Sequence, residues 1–110
     1  MGGYVYLICD YTRERTYKIG VTCGKIENRM KKLQTGNSGE LVLIKYYQTE
    51  TPYYLEKQLH QHFKTKNIMN EWFLLSDDDV KDFHKTCDRF ESYKEILKNN
   101  PFFKAGKEKK

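Results

Sequence analysis

Apolar residues fall in short blocks along the chain, and the first blocks have the length and alternation of strands. Tyr4 to Cys9 (YVYLIC) is a β-branched and aromatic run that predicts a buried strand. Asp10 to Arg15 is polar and predicts a turn, and Tyr17 to Thr22 (YKIGVT) predicts a second strand, so the opening unit reads as an antiparallel hairpin. Ile26, Met30 and Leu33 then change to helical spacing and predict a helix of about ten residues around Arg29. Turn residues from Thr35 to Gly39 stop it. Leu41 to Gln48 (LVLIKYYQ) predicts a third strand. Thr51-Pro52 predicts a helix start, with a hydroxyl cap and proline at the first position. Leu55, Leu59 and Phe63 carry that helix to about Lys64. Glu71 to Leu75 (EWFLL) predicts a short strand. Ser76 to Asp79 (SDDD) resembles a capping box with a shorter acid, opening a last helix with Val80, Phe83, Cys87, Phe90 and Leu97 on one stripe. The order β-β-α-β-α-β-α predicts an α/β (α+β) domain: a small mixed, mainly antiparallel sheet flanked by helices.

A chain of 110 residues suits one domain with one small core, here assigned to residues 1–100, with residues 101–110 a lysine-rich flexible tail. Aromatics at 15% beside 32% charged residues mark a folded chain rather than a disordered one. No apolar run approaches the roughly 20 residues of a membrane span, and the N-terminus lacks the pattern of a signal peptide. Cys9, Cys23 and Cys87 are odd in number and widely spaced, which fits a reducing intracellular setting, cytoplasm or nucleoid/nucleus, better than a disulfide framework. The net charge of +5 invites a nucleic-acid partner, but four lysines and one glutamate in residues 104–110 supply +3 of it. Charge alone therefore decides little.

Side-chain alternation says more. Tyr4, Tyr6 and Ile8 share one face of the first strand, and Lys18, Gly20 and Thr22 share a face of the second, with Tyr17 turned away. Arg29 lies beside the apolar stripe of its helix, and Glu56 and His60 stand one turn apart beside the stripe of theirs. A phenol, an ammonium, a guanidinium and a carboxylate are thus expected to converge on one side of the sheet. Each of these types alone is more often core or solvated surface than a functional group. His60, His62, His84 and Cys87 fit no compact zinc pattern, and His60 and His62, roughly 200° apart around a helix, cannot share one metal.

The sequence Tyr4-Val5-Tyr6, then Tyr17-Lys18-Ile19-Gly20, then Arg29 followed by Leu33-Gln34-Thr35-Gly36-Asn37, then Glu56 and Glu71-Trp72-Phe73, resembles the GIY-YIG nuclease superfamily. It is most similar to the phage- and virus-associated branch whose second motif reads Tyr-Lys-Ile-Gly, over about residues 3–80. The resemblance implies a metal-dependent DNA endonuclease that hydrolyses phosphodiester bonds with one divalent cation, Mg²⁺ or Mn²⁺. It implies that Tyr6 lies against the attacking water as general base, that Arg29 contacts the scissile phosphate and that Glu56 holds the metal. Lys18 stands where the family has its second tyrosine, and it is assigned to tuning Tyr6 or neutralising phosphate; Tyr4 stands where it has glycine. His60 is a candidate for bonding an oxygen of the phosphodiester or positioning Glu56. Lys32 and Asn70 are candidate nucleic-acid contacts beside Lys18 and Arg29, and Glu71 is a further group within reach. An ordinary tyrosine with a pKa near 10 is only about 0.3% phenolate at pH 7.5, so a base at Tyr6 needs a neighbouring cation. The rival expectation is a DNA-binding or regulatory module that kept the fold and lost turnover. A larger protein partner supplying specificity is a third, and oligomeric state is left open.

Overall fold

Val5, Leu7 and Ile19 point to one side of the opening hairpin while Tyr6 and Ile8 point to the other, so the first two strands need cover on both faces. A computed structural model, describing residues 2–99, shows how they get it. Strands β1 (Gly3–Asp10) and β2 (Thr16–Thr22) form the hairpin, followed by α1 (Ile26–Thr35), β3 (Leu41–Thr49) and α2 (Pro52–His62). After a 3-10 turn at Lys64–Lys66 come β4 (Asn67–Met69), β5 (Trp72–Leu74), α3 (Asp77–Lys81) and α4 (Phe83–Asn99). The five strands make one sheet in the order β3-β1-β2-β5-β4, every pairing antiparallel. The expected α+β class holds, with a sheet that is antiparallel throughout rather than mixed.

One face of the sheet packs on α2 and α4 through Val5, Leu7, Ile19, Leu55, Leu59, Phe63, Phe73, Leu75, Phe83 and Cys87, all buried. Burial pushes the Cys87 thiol up to about 12, which leaves it an inert small hydrophobe. The opposite face is thinner: Tyr6, Ile8 and Leu41 are buried there beneath Met30 and Leu33 of α1, a helix that buries none of its residues fully. Tyr17 packs with the first core, so it does face away from Lys18 as the alternation requires.

Several boundaries differ from the periodicity. Strand β4 was not expected, because Asn67-Ile68-Met69 is exposed and too short to show a period. The last helix is two: α3 ends at Lys81, and α4 starts afresh where the Thr86 amide and hydroxyl both donate to the Asp82 carbonyl. The Ser76 capping box is present, with Ser76 Oγ accepting from the Asp79 amide at 3.1 Å and Asp79 Oδ2 accepting from the Ser76 amide at 3.0 Å. Thr51 makes no such cap. Its hydroxyl accepts from Lys94 Nζ at 2.8 Å instead. Leu97 is 45% exposed because α4 outruns the core it was expected to cover. The lysine-rich stretch 101–110 lies outside the described residues.

Candidate active site

The short length of β5 makes the site. It pairs with β2 only from Thr16 to Lys18, so the edge of β2 beyond Ile19 is left uncovered. A polar pocket of about 340 Å³ opens at that edge, lined by Val21, Thr22, Cys23, Arg29, Tyr53, Glu56 and Glu71. Helix α1 brings Arg29 from one face of the sheet, α2 brings Glu56 and Tyr53 from the other, and the β4–β5 hairpin brings Glu71 along the sheet plane.

Tyr6 lies on the α1 side of the sheet, bonded to Arg29, and is not itself among the residues that line the pocket. It pairs across the hairpin with Gly20, and its ring lies so close over that residue that a Cβ there would collide with the phenol. Glycine at position 20 is therefore a requirement of the tyrosine at position 6. The Tyr6 hydroxyl, 1% exposed as a residue, accepts a hydrogen bond from Arg29 Nε at 3.3 Å. Burial raises the Tyr6 pKa, Arg29 lowers it through the bond and its charge, and burial prevails. The expectation of a cation-favoured phenolate is thus corrected: Arg29 reduces the penalty of desolvation without reversing it. The same bond raises the Arg29 pKa, so the guanidinium stays charged.

Glu56 is half-buried, and its pKa is raised by burial first and by the neighbouring Glu71 next, against His60, Lys18 and Arg29. Two carboxylates that repel one another in a pocket with a guanidinium are the kind of perturbed titratable groups that gather at functional sites. Hard oxygen donors suit Mg²⁺ or Mn²⁺, and Mg²⁺ commonly takes only one or two carboxylates and completes its shell with water and substrate phosphate. Among the described residues no three His, Cys, Asp or Glu side chains gather into a metal cage. Glu56 with Glu71 beside it fits such an open cation site, whereas a closed structural site has no donors here.

Lys18 does not touch Tyr6. Its ammonium pairs with Glu71 Oε1 at 3.3 Å and lies 5.5 Å from the centre of the Trp72 ring. The position expected to tune the phenol instead holds the second carboxylate, because Lys18 and Trp72 are register partners across β2 and β5. His60 Nε2 lies 2.9 Å from the Ile19 carbonyl, at the open edge of β2, and 3.9 Å from Glu56 Oε2. Its nearest partner is thus backbone. Lys32 lines a neighbouring pocket of about 240 Å³ together with Lys18, Asn37 and Trp72. Asn70 sits in the β4–β5 turn at φ 52, a left-handed conformation that asparagine tolerates, and is outside the polar pocket. A close backbone approach falls at Gly3, one residue before Tyr4, where a Cβ would meet the Thr22 carbonyl at 2.6 Å.

Tyr53 and Cys23 are lining residues that the motif spacing did not single out. Tyr53 stands three residues before Glu56, hence on the same helix face, which was a usable signal. Cys23 follows β2 directly and carried none.

Fold and pocket together define a small α+β domain with carboxylates and cations mixed in one cleft at the margin of its sheet. Residues 3–90 match the T5orf172 domain, and the chain belongs to that family, which is associated with nuclease-type domains. No curated protein and no solved structure matches the chain.

Proposed function

We propose that the protein is a metal-dependent DNA endonuclease of the GIY-YIG kind, hydrolysing phosphodiester bonds at the open edge of β2. The observation that carries this reading is the pocket itself, where Arg29, bonded to the buried Tyr6, faces Glu56 and Glu71 across an uncovered strand. Arg29 grips the phosphate, its Nε held by Tyr6 so that the remaining guanidinium N–H groups face the pocket. Tyr6, in the phenolate form that Arg29 stabilises, takes the proton of the attacking water and becomes the neutral phenol, while the new bond to phosphorus forms and the bond to the departing oxygen breaks. Glu56 and Glu71 would hold the divalent cation, which when bound would supply charge stabilisation on the phosphate and the departing oxygen. His60 fixes α2 to β2 through the Ile19 carbonyl and so positions Glu56 one turn before it. Lys18 keeps Glu71 aimed at the pocket.

Nicking of supercoiled plasmid with Mn²⁺ tests the proposal. Wild-type protein is expected to nick with Mn²⁺ and not with a chelator, and Glu56→Ala is expected to lose the activity. Retention of plasmid without nicking by both proteins would support a DNA-binding module instead.

A further inference from the structure

Next to the polar pocket, on the α1 side of the sheet, runs a groove of about 740 Å³ between the start of α1 and strands β1 and β3. Tyr4 and Tyr46 form its aromatic floor, ring centres 5.8 Å apart and planes at 75°, with Met30 and Leu43 as an apolar wall. Tyr46 is 52% exposed, an aromatic surface with no protein partner over its outer side among the described residues.

The groove adjoins the candidate active site. Cys23 lines both cavities. Tyr46 stands opposite Tyr6 in the β1–β3 register, and Tyr6 is the residue that holds Arg29. A strand whose phosphate meets Arg29 therefore has the tyrosine pair in the adjoining cavity.

Chemistry then sorts the parts of a nucleotide. Lys25 and Glu27 at the rim of the groove cancel and leave it a neutral aromatic surface, whereas the pocket next door holds the Arg29 guanidinium, a specific phosphate donor, together with Glu56 and Glu71. A flat neutral group is what two tyrosine rings and a methionine accept. Every base has such a face, but in a duplex that face is covered by its stacked neighbours.

We propose that the Tyr4–Tyr46 groove takes an unstacked base of the DNA strand whose phosphate lies at Arg29, making DNA with an unpaired nucleotide beside the scissile bond the preferred substrate. This rests on the reading of the neighbouring pocket as a DNA-cleaving site. Aromatic platforms of this kind bind single strands with little regard for sequence, so the groove selects strand structure and not base identity.

The test uses the full chain in a chelator, so that no cleavage occurs, with two short DNAs: a duplex bearing a two-nucleotide single-stranded flap and the fully paired duplex. 2-Aminopurine replaces one flap base. Wild-type protein is expected to bind the flap DNA more tightly than the duplex and to quench the 2-aminopurine emission by stacking. Tyr46→Ala and Tyr46→Leu are expected to bind the flap DNA about tenfold more weakly and to abolish the quench, with duplex binding unchanged, while Tyr46→Trp keeps both. Equal binding of the flap by wild type and Tyr46→Ala, unquenched emission, or no preference for the flap overturns the proposal. A parallel Mn²⁺ cleavage assay separates the two readings. Quenching and flap preference without cleavage leave the groove assignment standing and remove the nuclease; cleavage unaffected by Tyr46→Ala removes the groove assignment alone.

Discussion

Tyr6 is packed under α1, laid over Gly20 and bonded to Arg29, so three positions far apart in the chain depend on one another. This much was legible from alternation: Tyr6, Lys18 and Gly20 fall on one face because side chains alternate along strands. The partner of Lys18 was not legible, because Glu71 is delivered by a hairpin whose first strand is exposed and only three residues long. The raised Tyr6 pKa sets a pH dependence. Below its pKa the phenolate fraction grows about tenfold per pH unit, so the single-turnover cleavage rate should rise with a slope near one between about pH 7 and 9 without levelling off. Tyr6→Phe should remove that slope and lower the rate by roughly 100-fold or more with little change in DNA affinity. On the acid side, the raised Glu56 pKa means the carboxylate is protonated, and its hold on a cation lost, at a higher pH than an ordinary glutamate. A pH profile of metal affinity for wild type against Glu71→Gln checks the cause. Removing the repelling neighbour should move that loss to lower pH.

Among the elements, β5 creates the candidate pocket by stopping short and leaving β2 open past Ile19. Strand existence could be read from Glu71-Trp72-Phe73-Leu74-Leu75, but its length could not, since Leu74 is exposed and Leu75 is buried beyond the strand end. Helix starts were read with mixed success for a physical reason. Serine at position 76 has an acid three residues on and closes a reciprocal cap, whereas Thr51 has Tyr54 in that place and turns its hydroxyl to Lys94. Ser76→Ala should therefore cost about 1 kcal/mol, read as a lower denaturation midpoint with unchanged slope, and should leave cleavage intact because α3 contributes no residue to the pocket lining.

For the molecule as a whole, the sheet is sandwiched unevenly, with the main core under α2 and α4 and only a thin cover from α1. The two small pockets on this side are lined by three cations, Arg29, Lys18 and Lys32. DNA binding should accordingly show a modest salt dependence, with a slope of about −2 to −3 in log affinity against log salt. Lys32→Ala should reduce that slope by about one and weaken all sequences alike.

Single-turnover cleavage of one labelled DNA at saturating protein, comparing wild type with Arg29→Met and Glu56→Gln, isolates the chemical step from binding. Each substitution is expected to slow the step by roughly 100-fold or more while thermal unfolding stays close to wild type. Equal rates in all three proteins would show that the cleft at the edge of β2 is not where the phosphodiester bond is broken.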